Sequence, residues 1–335
     1  MSENKQKIGI TIGDVAGIGA EVVLKAVADN TLRDFCLPVI IGDAKFLTKQ
    51  AEHLGLSANF CIVKNGEPIP ETSDKTIVYD LANINEEVEI GKESAIAGKA
   101  AGEYIETAVK LCRSKQIDAI STAPINKKSL SLGGYDFQGH TEFLAYLTDT
   151  KDFAMSFFAA DMCVVLLSTH LSLVDAVKLV KKDNLVHLIK LTHRELSFLL
   201  GRKPKIAVAG VNPHASEGGM FGGEENAEMN PAIIECREKY EIDVQGAFSA
   251  DTIFLRGFRG EFDSVIACYH DQATIAVKCL SFGDSVNVTL GLPFVRTSVD
   301  HGTAFDIAGK NLAESQSMKT AIKLAAKLSK NYARL

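Results

Sequence analysis

The sequence lacks several features that would assign it to common classes of protein. Its 335 residues carry a formal net charge of −6, and no lysine and arginine cluster offsets that charge, which argues against a nucleic-acid surface. No stretch approaches the roughly 20 apolar residues that a membrane helix needs. The N-terminus, Met-Ser-Glu-Asn-Lys-Gln-Lys, lacks the apolar core of a signal peptide. We therefore expect a cytoplasmic protein that binds neither nucleic acid nor membranes.

Paired cysteines are also missing. The chain has seven cysteines, and none of them forms the C-x-x-C pair that is typical of structural zinc sites and redox motifs. They lie scattered within apolar runs, a pattern that predicts reduced thiols in the core of a cytosolic protein. No cysteine is predicted to act as a nucleophile.

Internal repeats, low-complexity segments and flexible linkers are absent, and an alternating pattern fills the chain instead. Hydrophobic residues make up 46% and charged residues 23%, which are ordinary values for a globular protein with a large core. Strand-like apolar runs alternate with amphipathic helical stretches, which predicts an α/β protein with a largely parallel sheet. The length predicts about two domains, and the missing linker indicates that they share a cleft.

The alternation can be converted into element positions. The predicted strands are 7–12, 39–41, 76–79, 117–121, 163–167, 206–211, 265–268 and 286–290. The predicted helices are 21–28, 94–114, 173–200, 226–240 and 317–333, and 291–309 is predicted to be irregular. Gly201 follows helix 173–200 as a C-cap.

Three histidines follow predicted buried strands. They are His170, His214 and His270, which follow the strands 163–167, 206–211 and 265–268. Packing usually explains a lone histidine, and His53, His187 and His193 are interpreted that way. Open α/β sheets, however, bind ligands at the carboxyl ends of their strands. Three histidines in equivalent positions therefore predict a divalent metal with an open coordination position.

The ligand set and its neighbours limit the metal to a short list. Imidazole ligands suit Zn²⁺, Co²⁺ or Mn²⁺, and Mg²⁺ completes the set of divalent ions that we expect. Asn212, Asp271 and Gln272 are suited to orient the imidazoles or a bound water. The three histidines need not come from one subunit.

Two glycine-rich segments invite comparison with phosphate-binding loops. Gly13–Gly19 (GDVAGIG) fails the G-x-G-x-x-G pattern, because Val22 stands where glycine or alanine is required. We interpret it as a tight strand-to-helix turn in a non-Rossmann sheet. Glu217–Glu225 (EGGMFGGEE) carries three glutamates that would repel phosphate. A mobile loop with an acidic helix start is the preferred interpretation, and a role as a lid stays open.

Polar and cationic residues in two further segments suit an anionic substrate. In Gly139-His140-Thr141-Glu142, Thr141 fits either a helix N-cap or a substrate contact. Lys278, Asn287 and Arg296 each fit a surface residue when taken singly. Beside a metal, the three together offer donors for a phosphate or a carboxylate.

Taken together, these segments resemble 4-hydroxythreonine-4-phosphate dehydrogenase of the vitamin B6 pathway, over essentially the whole chain. The segments that carry the resemblance are 10–19 (ITIGDVAGIG), 121–127 (STAPINK), 139–142 (GHTE), 211–215 (VNPHA), 250–252 (ADT), 269–272 (YHDQ), 286–293 (VNVTLGLP) and 296–303 (RTSVDHGT). The segment 301–310 (HGTAFDIAGK) is also similar to the adenine-binding loop of isocitrate and isopropylmalate dehydrogenases.

The resemblance implies roles for individual residues. The metal ligands that it implies are His170, His214 and His270, shared across a homodimer interface. The substrate contacts that it implies are His140, Thr141, Lys278, Asn287 and Arg296. The similarity of 301–310 implies an NAD or NADP site with His301, Gly302, Thr303 and Asp306.

It also implies a non-Rossmann fold like that of isocitrate and isopropylmalate dehydrogenases, with two α/β domains flanking a cleft. Residues 1–130 and 285–335 are expected to form the larger domain on the cofactor side. Residues 131–284 are expected to form the second domain, with the metal ligands and the dimer interface.

The implied activity is a metal- and NAD(P)-dependent oxidation of the secondary alcohol of 4-phosphohydroxy-L-threonine. The 3-keto acid then loses CO₂ to give 3-amino-2-oxopropyl phosphate. Asp251, Asp271 and a metal-bound water are the candidates for the general base. The chain departs from the family pattern at Val15, Ala20, Ser216 and Ala273.

Those departures keep other functions open. Relatives of the family oxidise 4-phospho-threonate or cyclic cis-diol carboxylates by the same chemistry. A phosphate acyltransferase of related architecture and a non-catalytic metal-dependent binding protein are less favoured. The acyltransferase would not need the three histidines.

Overall fold

The computed structural model describes residues 5–281 and 283–332. It divides into two compact units, of which unit 1 comprises Met1–Lys151 and Leu292–Leu335 and unit 2 comprises Asp152–Gly291. Residues 131–151 therefore lie in unit 1 and 285–291 in unit 2. Both units combine a sheet with helices, which confirms the predicted α/β class.

Unit 1 is built on a parallel sheet. Its strands are β1 Lys7–Thr11, β2 Leu37–Gly42, β3 Phe60–Lys64, β4 Thr76–Asp80, β5 Ala119–Thr122 and β12 Val295–Ser298, in the order β3-β4-β2-β1-β5-β12. Its helices are α1 Gly19–Val27, α2 Ala44–His53, α3 Ala95–Arg113, α4 Lys127–Leu132, α5 His140–Leu147 and α11 Gln316–Ser329, with a 3₁₀ turn at Asn30–Asp34. Each pair of neighbouring strands in this order is parallel.

Small residues allow close packing in unit 1. The side chain of Ser94 accepts a hydrogen bond from the amide of Ala97 and so caps the alanine-rich helix α3. A Cβ at Gly98 would lie 1.7 Å from the carbonyl oxygen of Ser129, so only glycine lets α4 approach α3 this closely. Gly13 has φ +69 and lies against Pro124. These contacts fix the turns that follow β1 and β5.

Unit 2 has a mixed sheet. Its strands are β6 Ala154–Ala159, β7 Met162–Leu166, β8 Ile206–Ala209, β9 Val244–Phe248, β10 Ser264–Ala267 and β11 Val286–Leu290, in the order β11-β6-β7-β10-β8-β9. Its helices are α6 Leu173–Lys178, α7 Lys182–Leu200, α8 Asn230–Tyr240, α9 Ala250–Phe258 and α10 His270–Leu280. Shorter turns occupy Pro213–Gly219 and Glu225–Met229.

The centre of the unit 2 sheet is parallel and fully buried. Strand β10 pairs in parallel with β7 on one side and with β8 on the other, and all residues of the three strands are buried. Parallel strands that are buried on both faces have continuous apolar runs in their sequences. That is why sequence alone located these three strands to within two residues at each end.

Three predicted elements were wrong in detail. The helix predicted over 173–200 is two helices, because Lys181 is extended (φ −125, ψ 145) and the buried Val180 lies between them. The segment predicted to be irregular over 291–309 contains β12. The helix predicted over 226–240 begins as a π-helical turn at Glu225–Met229. Gly201, predicted as a C-cap, does end α7 in the left-handed conformation.

The cysteines behave as core thiols. All seven are free, and five of them are buried. Burial raises the pKa of Cys163 and of Cys268 to about 12, so these thiols are protonated and unreactive at neutral pH. Within residues 5–281 and 283–332, no helix is long and apolar enough to span a membrane.

Candidate active site

The three strand-end histidines lie where the sequence predicts. His170 follows β7, His214 follows β8, and His270 follows β10 as the first residue of α10. Since these three strands are neighbours and parallel, their carboxyl ends lie along one edge of the unit 2 sheet. Ligand sites form at such edges in open α/β sheets.

His170 and His270 form a close pair. Their ring centroids are 6.0 Å apart, and both rings line a cleft of about 230 Å³ together with Thr169, Tyr269 and Asp271. The Nδ1 atom of His270 lies 2.7 Å from Oδ1 of Asp271. A carboxylate on one imidazole nitrogen fixes the ring and leaves Nε2 to coordinate a metal. The imidazole nitrogens of His170 and His270 are therefore donors that suit a divalent ion.

His214 leaves the strand edge on an unusual backbone. Its φ of 53 begins a left-handed run that continues through Ala215, Ser216 and Glu217. Each non-glycine residue in this conformation costs about 1–2 kcal/mol. The ring of His214 lies 6.3 Å from that of Phe221. Across residues 5–281 and 283–332, no group of three His, Cys, Asp or Glu side chains is arranged to hold a metal, so the shared triad stays a prediction.

The neighbours expected to orient the imidazoles divide into two kinds. Asp271 contacts His270 directly, as described above. Gln272 instead ties backbone together, since it accepts a hydrogen bond from the amide of Cys268 and donates one to the carbonyl of Gly210. The side chain of Asn212 donates to Glu224 and Glu225. Gln272 and Asn212 therefore hold the loops that carry the histidines.

Unit 1 contains a buried cationic cluster, named the cationic pocket from here on, that consists of Arg296, Thr122 and His140. Arg296 lies on β12, is 3% exposed and donates from Nη2 to Oγ1 of Thr122, 2.7 Å away. His140, the first residue of α5, has a buried Nε2 atom with no hydrogen-bond partner in the described chain. A buried guanidinium beside an unsatisfied imidazole nitrogen suits an anionic ligand.

Burial sets the charge state of this pocket. It lowers the pKa of Arg296 to about 9, against an opposing effect of Glu142. Burial, followed by the charge of Arg296, lowers the pKa of His140 well below its usual range. At neutral pH Arg296 is therefore positively charged and His140 is neutral.

The remaining predicted substrate contacts lie in different settings. Thr141 is buried within α5 and is not its N-cap, because Gly139 occupies that position. The N-cap interpretation of Thr141 was therefore wrong. Lys278 is exposed on α10, and Asn287 is half-buried on β11, both in unit 2. Their role as substrate contacts stays a prediction.

The predicted cofactor loop 301–310 folds against the first turn of unit 1. The amide of Ile18 donates to the carbonyl of Thr303 at 3.0 Å, and a Cβ at Gly17 would lie 2.8 Å from that oxygen. His301 has a buried Nε2 atom without a hydrogen-bond partner among the described residues. Gly302 and Asp306 are exposed. The Nε2 atom of His301 and the exposed backbone of Gly302 are therefore suited to hydrogen-bond a polar group of a nicotinamide cofactor.

The candidates for the general base differ in their surroundings. Asp271 accepts from His270, so its carboxylate is engaged in orienting that ring. Asp251 is exposed in the first turn of α9, where the hydroxyl of Ser249 donates to it.

Sequence reasoning missed Thr122 and Glu142 as parts of the cationic pocket. Thr122 is the last residue of β5, next to the Arg296 strand, and a polar residue at a buried strand end was the available signal. Glu142 follows Thr141 by one residue and acts on Arg296 through its charge. No spacing rule links either residue to position 296.

Comparison with known proteins decides the family. The family described as pyridoxal phosphate biosynthetic protein PdxA matches residues 34–325. D-threonate 4-phosphate dehydrogenase of Cupriavidus necator is 44% identical over 98% of both chains. The crystal structure of a 4-hydroxythreonine-4-phosphate dehydrogenase from Burkholderia phymatum has a TM-score of 0.86 at 42% identity, covering 97% of this chain and 98% of that one.

The chain belongs to the PdxA family. A further member of known structure, 4-hydroxythreonine-4-phosphate dehydrogenase from Klebsiella pneumoniae, has a TM-score of 0.89 at 38% identity, covering 97% of this chain and 99% of that one. The PdxA relatives are named as dehydrogenases, so this chain is an oxidoreductase. The family predicted from the sequence segments is thereby confirmed.

Proposed function

We propose that this PdxA-family enzyme oxidises the C3 hydroxyl of a four-carbon, 4-phosphorylated 3-hydroxy acid, followed by loss of CO₂. D-threonate 4-phosphate is the first candidate substrate, because the C. necator relative with that name matches along the whole chain. Its oxidation and decarboxylation would give dihydroxyacetone phosphate. The second candidate, 4-phosphohydroxy-L-threonine, is supported by the names of the solved relatives and would give 3-amino-2-oxopropyl phosphate.

The observation that carries the proposal is the buried pocket around Arg296. A guanidinium that is 3% exposed and held by Thr122 is paired with an imidazole nitrogen that lacks a partner. Such groups bind an anion through charge-assisted hydrogen bonds. We assign the pocket to one anionic end of the substrate. We assign Lys278, Asn287 and Thr141 to further contacts with the substrate. Anchoring an anion away from the reacting carbon turns binding energy into orientation.

The histidines would hold the metal. His170 and His270 lie close enough to share one ion, and we propose that the partner subunit's His214 supplies the third imidazole in a homodimer. Apolar residues beside His170 support such an interface, since Leu171, Leu173 and Val174 are all exposed and exposed apolar patches mark association sites. Zn²⁺, Mg²⁺, Mn²⁺ and Co²⁺ are the candidate ions, and the donor set favours those that accept imidazole.

The chemistry of the bound groups and of the chain is complementary. A divalent ion would supply Lewis acidity to the substrate, and NAD or NADP would serve as the hydride acceptor. The chain orients the His270 ring through Asp271 and holds the substrate anion with Arg296. We assign His301, Gly302, Thr303 and Asp306 to the cofactor. We place proton removal from the hydroxyl on Asp251 or on a bound water, because Asp271 is engaged with His270.

The free thiols support a proposal for the cellular compartment. Five buried free cysteines suit a reducing environment. We therefore propose that the enzyme works in the cytoplasm.

A substrate panel tests the proposal. NADH absorbance would be followed with D-threonate 4-phosphate, 4-phosphohydroxy-L-threonine and a cis-diol carboxylate, each with added Mg²⁺, Mn²⁺, Co²⁺ or Zn²⁺, together with CO₂ release. We expect the highest kcat/KM for D-threonate 4-phosphate, with one CO₂ per NADH. Higher kcat/KM for the cis-diol would reassign the substrate class. No turnover of any 3-hydroxy acid would contradict the proposal.

A further inference from the structure

The loop that carries His214 is closed by its own hydrogen bonds. Ser216 is 1% exposed and donates from Oγ to the carbonyl of Gly222, 2.6 Å away. The carbonyl of Ser216 accepts from the amide of Phe221 at 3.2 Å. One residue is therefore bonded twice to the segment 221–222, through its side chain and through its backbone.

The closure is anchored to the end of β8. Gly222 has φ +149, and a Cβ there would lie 2.4 Å from Nδ2 of Asn212. Asn212 is in turn bonded through its backbone and its side chain to the buried Glu225. A continuous series of contacts thus runs from Glu225 through Asn212 and Gly222 to Ser216.

Serine at this position is unexpected on conformational grounds. Ser216 has φ 70, a backbone region that glycine adopts freely and other residues adopt at a cost. His214 and Ala215 share the left-handed conformation. A costly backbone conformation persists only where the surrounding contacts hold it. The buried hydroxyl provides such a contact.

We propose that Ser216 is a positioning residue that fastens the loop 213–222 and thereby presets the backbone of His214 for ligand binding. This inference rests on the proposed role of His214 as a metal ligand. The hydroxyl of Ser216 does not touch the imidazole and acts through the loop. A preset ligand loses less conformational freedom when it binds.

Two substitutions separate the hydroxyl from the backbone strain. Ser216→Ala removes the hydrogen bond and keeps the strained φ, whereas Ser216→Gly removes the hydrogen bond and relieves the strain. In the metal-free protein, we expect amide exchange at Phe221 to rise about tenfold in Ser216→Ala and less in Ser216→Gly. Ser73→Ala is the control, because its exposed hydroxyl makes a similar bond to the carbonyl of Lys75 at 2.8 Å in unit 1.

Cobalt titration provides the functional measurement. Co²⁺ absorbance bands report its binding to imidazole, and we expect the Kd to rise about five- to tenfold in Ser216→Ala and about two- to threefold in Ser216→Gly. The control variant should match the wild type, and kcat at saturating Co²⁺ should change less than about twofold in all three variants.

The outcomes distinguish the fastening of the loop by Ser216 from the positioning of His214 for metal binding. Unchanged exchange at Phe221 in Ser216→Ala would overturn the fastening role. Faster exchange with an unchanged Co²⁺ Kd would reduce Ser216 to a purely structural residue and overturn the positioning role. A wild-type protein that binds no Co²⁺ would overturn the proposed metal site, and with it the positioning role, whatever the exchange data show.

Discussion

The cationic pocket of unit 1 and the histidine edge of unit 2 are built in opposite ways. Arg296 is buried, and Thr122 and His140 of the same unit lie beside it. The histidines are accessible instead: His170 and His214 are exposed, and the side chain of His270 is 41% exposed. The first region buries its charged side chain within the unit, whereas the second exposes its imidazoles on the surface.

This difference indicates how each region gains its function. A buried charge must be satisfied by its own chain or by a ligand, because burial without a partner is costly. Exposed imidazoles carry no such desolvation cost, so they are stable before an ion and a second subunit bind. The pocket is therefore expected to determine anion binding by itself. The histidine edge is expected to act only after assembly.

Removing a histidine tests the assembled region and should have the largest effect. We expect His270→Ala, His170→Ala and His214→Ala each to reduce metal-dependent turnover to background, because two imidazoles hold the ion too weakly. Steady-state kinetics and metal analysis of the purified variants provide the measurement. His187→Ala, an exposed histidine bonded to Asp152, is the control. Near-normal activity in any of the three variants would exclude that residue as a ligand.

Replacing the buried cation tests the enclosed region. Arg296→Met should lower kcat/KM about 100- to 1000-fold, because a buried charge-assisted anion contact is lost. The same change should raise the free energy of unfolding by about 1–4 kcal/mol, because a desolvated charge gives way to an apolar side chain. Kinetics and urea denaturation measure the two effects, with the exposed Arg113→Met as control. Loss of both activity and stability would contradict this description of the pocket.

Removing the carboxylate beside His270 should have an intermediate effect. Asp271→Asn keeps the size of the side chain and weakens the contact with Nδ1, so metal affinity should fall about 10- to 100-fold. Activity at saturating metal should recover if Asp271 only orients the ring. Titration with Co²⁺, followed by kcat at saturation, is the measurement. A kcat that stays low at saturating metal would instead identify Asp271 as the general base.

The pH dependence of kcat/KM also tests the cationic pocket, and here we expect the smallest effect. The pKa of Arg296 is about 9, so its positive charge is present below that pH and is lost as the pH rises through it. We expect kcat/KM to fall about tenfold per pH unit above that point. Arg296→Met should lack this fall. A profile that stays flat to high pH in the wild type would contradict the lowered pKa.

His140 adds a second feature to the same profile. Its pKa lies well below the usual range, so it stays neutral from mildly acidic to neutral pH. We therefore expect that His140 contributes no inflection near the ordinary histidine pKa, so that the pH profiles of the wild type and of His140→Gln have the same shape in that region. Such an inflection would show that the imidazole is charged in the free enzyme.

Much of the histidine edge was predictable from sequence. The strands β7, β8 and β10 are continuous apolar runs, and each is followed within five residues by a histidine, so the apolar pattern and the position of the histidine sufficed. The pairing of His270 with Asp271 was accessible because the two residues are adjacent. The left-handed path after Pro213 was not, since Ala215, Ser216 and Glu217 carry no propensity for positive φ.

The enclosed pocket was harder to predict for a physical reason. Arg296 and Thr122 are 174 residues apart and meet only because β12 pairs with β5. Strand β12 itself lies in a segment that was interpreted as irregular. Without that strand, no local pattern distinguishes a buried arginine from a surface one. The family resemblance named Arg296 as a substrate contact, and the structure supplied its burial and its partner.

Mixing two inactive variants tests the central claim, that the histidines of two subunits complete one metal site. His214→Ala and His270→Ala would be co-refolded or co-expressed in equal amounts, and metal-dependent turnover would be measured. If the partner subunit's His214 completes each site, mixed dimers contain one intact site, and random pairing should restore about a quarter of wild-type turnover. If all three histidines of one chain bind the ion, every site lacks a ligand and turnover stays at background, which would contradict the account.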